Sequence, residues 1–116
     1  MKQKPVIPRA LAREDVDRAI TYYLEKEADK AALGLIDALE HVYKQLSRHP
    51  ESGSSGYAHE LNLPGLRSWP LKRYPYVVFY VERPSHIEIW RVLHGMSDIS
   101  SWLQDDENRS PSSASK

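Results

Sequence analysis

The sequence predicts an α+β fold in which an N-terminal edge strand and an α-helical hairpin pack on a small antiparallel β-sheet, followed by a short C-terminal helix. Three observations carry this prediction. Apolar residues recur at helical spacing from residue 12 to about residue 48. Runs rich in β-branched and aromatic residues follow at 66–71, 76–82 and from 87 onward. Between the two regions lies a stretch of glycine and serine, ESGSSGYAHE at 51–60, that reads as a loop.

Taken in order, residues 3–9 (QKPVIPR) suit a short strand. Pro5 and Pro8 remove amide donors on opposite sides of it, which places the strand at a sheet edge. In the helical region, Val16, Ala19, Ile20, Tyr23 and Leu24 form one stripe. Ala32, Leu35, Ile36, Leu39, Val42, Tyr43 and Leu46 form a second. At about 100° per residue the two stripes point roughly 130° apart, so one straight helix cannot bury both on one surface. A break over 27–30 follows, with Asp29 as the expected cap of the second helix. His49-Pro50 ends that helix, because proline disfavours helical dihedrals in the residue before it. The strands at 66–71 and 76–82 are joined by a turn at 72–75, and 83–86 (RPSH) reads as a hairpin connection to the third. Asp98 is placed to cap a short helix carrying Ile99, Trp102 and Leu103. The segment 104–116, QDDENRSPSSASK, offers no apolar side chain and is expected to be a disordered tail. Residues 1–103 then form one domain, long enough to bury roughly two thirds of its unfolded surface.

Composition narrows the function classes. Sixteen basic and sixteen acidic residues cancel, which argues against holding nucleic acid by bulk charge. The balance is local, however: between residues 66 and 94, Arg67, Lys72, Arg73, Arg83 and Arg91 face only Glu82 and Glu88. The absence of cysteine excludes disulfides and thiolate metal sites and suits a reducing cytoplasm. No run has the length of a signal peptide or membrane span. No metal-ligand spacing, nucleophile elbow or phosphate loop occurs, so neither metal nor cofactor is expected.

The residues with chemical potential gather where the last strand stops. His94, with an imidazole suited to proton transfer near neutral pH, is the only plausible general acid or base in the basic zone. Arg91 stands just before it in the same strand, and Arg73 is a further cation of the zone. A strand-terminal histidine bonded to a carbonyl or to Asp98 accounts for the same residue without any catalysis. Trp69, Trp90 and Trp102 are interface candidates, since tryptophan and arginine are enriched at binding hot spots, although core packing is favoured for Trp90.

The motifs AREDVDRAITYY at 12–23, PGLRSWPLKRYPYVVFYVE at 64–82 and RVLHGMSDI at 91–99 resemble the ParE/RelE superfamily of type II toxin–antitoxin toxins, on the ParE side. The resemblance covers about residues 5–103 and implies the layout read above from periodicity. It also implies a cytoplasmic toxin neutralised by an antitoxin encoded beside it. ParE-type toxins bind DNA gyrase and arrest replication, whereas RelE-type members cut mRNA on the ribosome. For the first activity, the expected contacts to target or antitoxin are Arg67, Trp69, Lys72, Arg73, Arg83, Arg91, His94 and Asp98. For the second, His94, Arg91 and Arg73 are the candidate catalytic set. Ser97 stands where toxins with this ending commonly carry a basic residue before the aspartate. That departure leaves open a third reading, an inactive homologue that titrates an antitoxin.

Overall fold

The computed structural model describes residues 3–108. The elements are β1 (Val6–Pro8), α1 (Ala10–Glu25), α2 (Asp29–Arg48), a 3-10 turn (Pro50–Ser52), α3 (Gly56–Leu61), β2 (Leu66–Pro70), β3 (Tyr76–Glu82), β4 (Ile87–His94) and α4 (Ile99–Asn108). One four-stranded sheet has the order β1-β4-β3-β2. Strands β2, β3 and β4 form the expected antiparallel meander, but β1 lies parallel to β4, so the sheet is mixed. Hairpins fix only the last three strands as antiparallel. The connection leaving β1 runs through two helices, long enough to let β1 pair in the parallel sense.

The prolines act as an edge strand requires. The Pro5 carbonyl accepts from the Ile87 amide at 2.8 Å, and the Arg9 amide donates to the Ile89 carbonyl at 2.9 Å. Alternation then turns Pro8 outward, where its missing N–H leaves no donor for another chain.

Both faces of the sheet are covered, which explains the near-continuous apolar character of β3. Val78 and Tyr80 point to the face under α1 and α2, in one core with Ala12, Ala19, Leu35, Leu39, Val42 and Leu46. Phe79 and Val81 point to the opposite face, in a second core with Leu63, Leu66, Trp90, Leu93, Ile99 and Leu103. The α2 stripe is buried as its spacing predicts, whereas Leu24 of the α1 stripe is exposed because α1 ends there.

The region expected to be a loop at 51–60 carries the 3-10 turn and α3. Its glycines and serines gain structure from tertiary partners. The Ser54 and Ser68 backbones exchange two hydrogen bonds of 2.9 Å. The Tyr80 hydroxyl accepts from the Gly53 amide at 2.9 Å and donates to the Pro50 carbonyl at 2.7 Å. That approach leaves no room for a Cβ at Gly53. Tyr57 of α3 meets Phe79 edge to face at 5.3 Å between ring centroids.

At the other end of the chain, Asp98 caps α4 as expected, its Oδ1 accepting from the Ser101 amide at 3.3 Å. Helix α4 continues to Asn108, five residues into the segment predicted as tail, and residues 109–116 lie outside the described residues.

The break between α1 and α2 has a cause that the sequence conceals. Glu27 adopts a left-handed conformation at φ 57°. Its amide donates to the Leu24 carbonyl at 3.0 Å, and the Ala28 amide donates to Tyr23 at 2.8 Å. These two bonds make a Schellman motif, with glutamate where glycine is usual. Asp29 is not the expected cap: Ala28 holds that position, Asp29 is the first helical residue, and no side-chain cap bond forms. A left-handed residue with a Cβ costs about 1–2 kcal/mol. Glu27→Gly should therefore stabilise the fold by about 0.5–1 kcal/mol, after the greater unfolded-chain entropy of glycine is deducted. Urea denaturation measures this directly, and a destabilised variant would contradict the assigned break.

Candidate binding groove

The site begins with a mismatch in strand length. Strand β1 pairs with β4 only from Ile87 to Ile89, so the rest of the β4 edge has no neighbouring strand. A register shift at Phe79/Tyr80 changes the phase of β4, and Arg91 leaves the sheet toward α1. There the Asp15 carboxylate receives it in two bonds, Nε to Oδ2 at 2.7 Å and Nη2 to Oδ1 at 2.8 Å. Asp15 Oδ2 also accepts the Val92 amide at 3.0 Å, standing in for the missing strand. Asp15 is 5% exposed and Arg91 3% exposed. Arg91 reaches α4 as well: its Nη1 donates to the Trp102 carbonyl at 3.4 Å, and its guanidinium lies 5.0 Å from the Trp102 ring centroid.

Above this pair opens a groove of about 600 Å³. One wall is α1 through Arg18, Ala19, Tyr22 and Tyr23; the floor is β4 from Val92 to His94; Pro75, Tyr76, Ser97 and Trp102 complete it. Its character is aromatic. Tyr22 and Tyr23 meet edge to face at 5.4 Å, as do Tyr76 and His94 at 5.4 Å. Tyr22 and Trp102 remain substantially exposed, at 52% and 43%, and Met96, in the turn after β4, is 87% exposed. Burial first, then the neighbouring tyrosines, pushes the Tyr23 and Tyr76 hydroxyls above the ordinary phenol range. Phenols are neutral near pH 7 without any shift, and this one makes their ionised forms harder still to reach. His94 Nδ1 accepts from the Met96 amide at 3.0 Å. In the neutral ring that bond puts the proton on Nε2.

The residues expected to form one basic contact surface are dispersed. Arg67 Nη1 donates to the carbonyls of Glu51 at 3.1 Å and Gly53 at 2.8 Å, holding the 3-10 turn against β2. Trp69 is half-buried against the helix-side core. Trp90 lies in the second core, donates Nε1–H to Glu88 at 2.8 Å and carries Arg9 over its ring at 4.8 Å. Arg83 pairs with Glu88 at 3.1 Å at the β3–β4 hairpin. Burial alone would raise the Glu88 pKa, but Trp90, Arg83 and Arg9 outweigh it and hold the carboxyl below its usual range. Lys72 and Arg73 are exposed in the turn at the opposite end of β3, with no ion-pair partner among the described residues. Asp98 is engaged as a helix cap. Arg91 is the largest departure: instead of facing a partner or phosphate, it is buried against Asp15. Of the expected set, His94 alone lines the groove, together with Arg18, Tyr22 and Trp102. Helical periodicity does group Asp15 with Ala12 and Ala19 at i+3 and i+7, which is the signal that a buried carboxylate leaves.

A helical hairpin on a mixed sheet, with an aromatic groove at the open end of the last strand, defines the architecture of this small α+β protein. Residues 6–99 match the family model described as ParE toxin of type II toxin–antitoxin system, parDE, and the chain belongs to that family. Among solved structures it is similar to a chain of a chromosomal ParDE toxin–antitoxin system from P. aeruginosa, with a TM-score of 0.66 and 19% identity. That match covers 79% of this chain and 96% of the other. No curated protein sequence matches the chain. Among the described residues no helix is long and apolar enough to cross a membrane.

Removing one member of a buried ion pair strands the other. Asp15→Ala should therefore destabilise the protein by about 3–5 kcal/mol. Replacing both Asp15 and Arg91 with apolar residues of similar volume should recover much of that loss. Thermal denaturation of the single and double variants checks this, and additive losses would contradict the assigned coupling.

Proposed function

We propose that this chain is the toxin of a type II toxin–antitoxin pair, and that it arrests replication in the cytoplasm by binding DNA gyrase. One observation carries the choice of binding over cleavage: Arg91, the cation nearest His94 in sequence, is spent on Asp15. Ribonucleolytic chemistry needs accessible cations to stabilise the developing phosphorane charge and a group to accept the ribose 2′-hydroxyl proton. His94 Nδ1 already accepts the Met96 amide, and burial of Tyr23 and Tyr76 disfavours their ionised, basic forms. An aromatic groove with exposed tryptophan and tyrosine is instead suited to protein recognition. Family membership and the likeness to a chain of a ParDE system support an antitoxin as the second partner.

Purified toxin should inhibit gyrase supercoiling, and cells producing it should show DNA damage with intact transcripts. His94→Ala should be mild, whereas Arg73→Glu, on an exposed residue, should weaken inhibition by about tenfold through lost charge complementarity. Arg91→Glu does not serve here, because it places two carboxylates in one buried site. Normal supercoiling with cleaved ribosome-bound transcripts, abolished by His94→Ala, would establish the endonuclease instead. Inactivity in both assays with retained antitoxin binding would establish the titrating homologue.

A further inference from the structure

The sheet has three stretches of outward backbone, and two are short or largely closed. On β1, the Lys4 amide donates to the Ser47 carbonyl at 3.2 Å and Pro8 has no donor, which leaves Val6 as the one outward residue there with both groups open among the described residues. On β2, the Leu66 amide donates to the Leu63 carbonyl at 3.1 Å, Ser68 exchanges both its bonds with Ser54, and Pro70 has no donor. The third stretch is the floor of the groove. Gly95 donates to the Pro75 carbonyl at 2.7 Å, so by antiparallel alternation residues 93 and 95 face β3 while Val92 and His94 face outward. Asp15 takes the Val92 amide, and the His94 carbonyl accepts from the Ser97 amide at 2.9 Å. The Val92 carbonyl and the His94 amide are left without a partner among the described residues.

That remainder has a direction. An antiparallel partner forms a hydrogen-bonded pair through both the N–H and the C=O of one residue, and neither Val92 nor His94 has both available. A parallel partner residue donates to the carbonyl of one residue and accepts from the amide two positions on, which is the pair of groups that remains. Ile7 of β1 occupies the equivalent place one step earlier, its neighbours bonded through Ile87 and Ile89. We propose that an extended segment of the antitoxin docks in the groove parallel to β4, with one residue opposite Leu93, continuing the row that β1 begins. This rests on the antitoxin partnership proposed above.

The groove also specifies the segment's chemistry. Side chains on either side of the residue opposite Leu93 point toward α1, where Ala19, Tyr22, Tyr23 and Tyr76 favour aliphatic or aromatic groups. The Arg18 side chain already lies 3.6 Å from Asp15 Oδ1, but it is 67% exposed on that wall and its outer face favours a carboxylate at the rim. Backbone bonding fixes direction and register, and the tyrosine wall supplies the apolar contact.

The test compares ¹⁵N-labelled toxin free and bound to the antitoxin encoded beside it. Hydrogen exchange at the His94 amide should slow by about tenfold or more on binding, while Leu93, already in the ladder, changes little. Cross-strand proton contacts should show the parallel pattern. Close Hα–Hα contacts to Val92 or His94 would mean antiparallel docking and overturn the proposed direction. A tight complex with the His94 amide unprotected would overturn strand docking while the antitoxin partnership stands; no complex at all would overturn both. Tyr22→Ala, on an exposed residue, should weaken the complex about tenfold without unfolding the toxin, and unchanged affinity would count against the groove.

Discussion

The Asp15 carboxylate is the interaction on which the arrangement of this molecule depends. A buried ion pair by itself is a poor source of stability, because desolvating two charges offsets most of their attraction. Here the carboxylate also accepts the Val92 amide. An unmet buried amide would cost about 1–3 kcal/mol. One side chain therefore closes part of a strand edge, neutralises Arg91 and fixes α1 against β4. Through the Trp102 carbonyl, Arg91 extends the same connection to α4. Three elements that form the groove share this single polar centre.

The groove is a consequence of unequal strands. With three residues, β1 covers less than half of the eight-residue β4. A longer β1 would have closed the edge and left no concavity. The chain instead fills one position with Asp15 and leaves the next open between α1 and the end of β3. Since one fold can host unrelated activities, the decision between cleavage and recognition falls to these few side chains. A guanidinium locked by a carboxylate, an imidazole whose Nδ1 is taken and tyrosines whose ionised forms are disfavoured are poor bases and poor anion clamps. Together they suit the binding wall proposed above.

Much of the fold was legible because it follows from periodicity. The α2 stripe, the meander, the proline-marked edge and the Asp98 cap each express a local rule that the tertiary structure leaves intact. What escaped was non-local. Asp15 sits in AREDVDRA among charges that read as solvated, and only its phase with Ala12 and Ala19 betrays burial. Arg91 reads as a surface cation because its partner lies 76 residues away and a register shift turns it out of the strand's alternation. The 3-10 turn and α3 were masked by loop-like composition, and their order comes from Tyr80 and Phe79 across the sheet. The left-handed Glu27 has no local signal, since glutamate is not a residue that marks such a turn.

Ser97 shows how a small departure in sequence acquires meaning from its location. Its amide closes the turn after β4 by donating to His94, and it lines the groove beside Trp102. A long basic side chain at that place would add a second cation to the groove opposite Arg18. Serine leaves the charge at Arg18 and the walls to the aromatic residues. A segment docked in the groove as proposed would then be recognised by shape, apolar contact and backbone bonding more than by charge, whereas the exposed Lys72 and Arg73 lie outside it. Apolar burial and backbone hydrogen bonds are far less screened by salt than exposed ion pairs. Contacts made between Tyr22, Tyr76 and Trp102 are accordingly less sensitive to ionic strength than any made by the exposed Lys72 and Arg73, so the groove discriminates by the side chains that fit it.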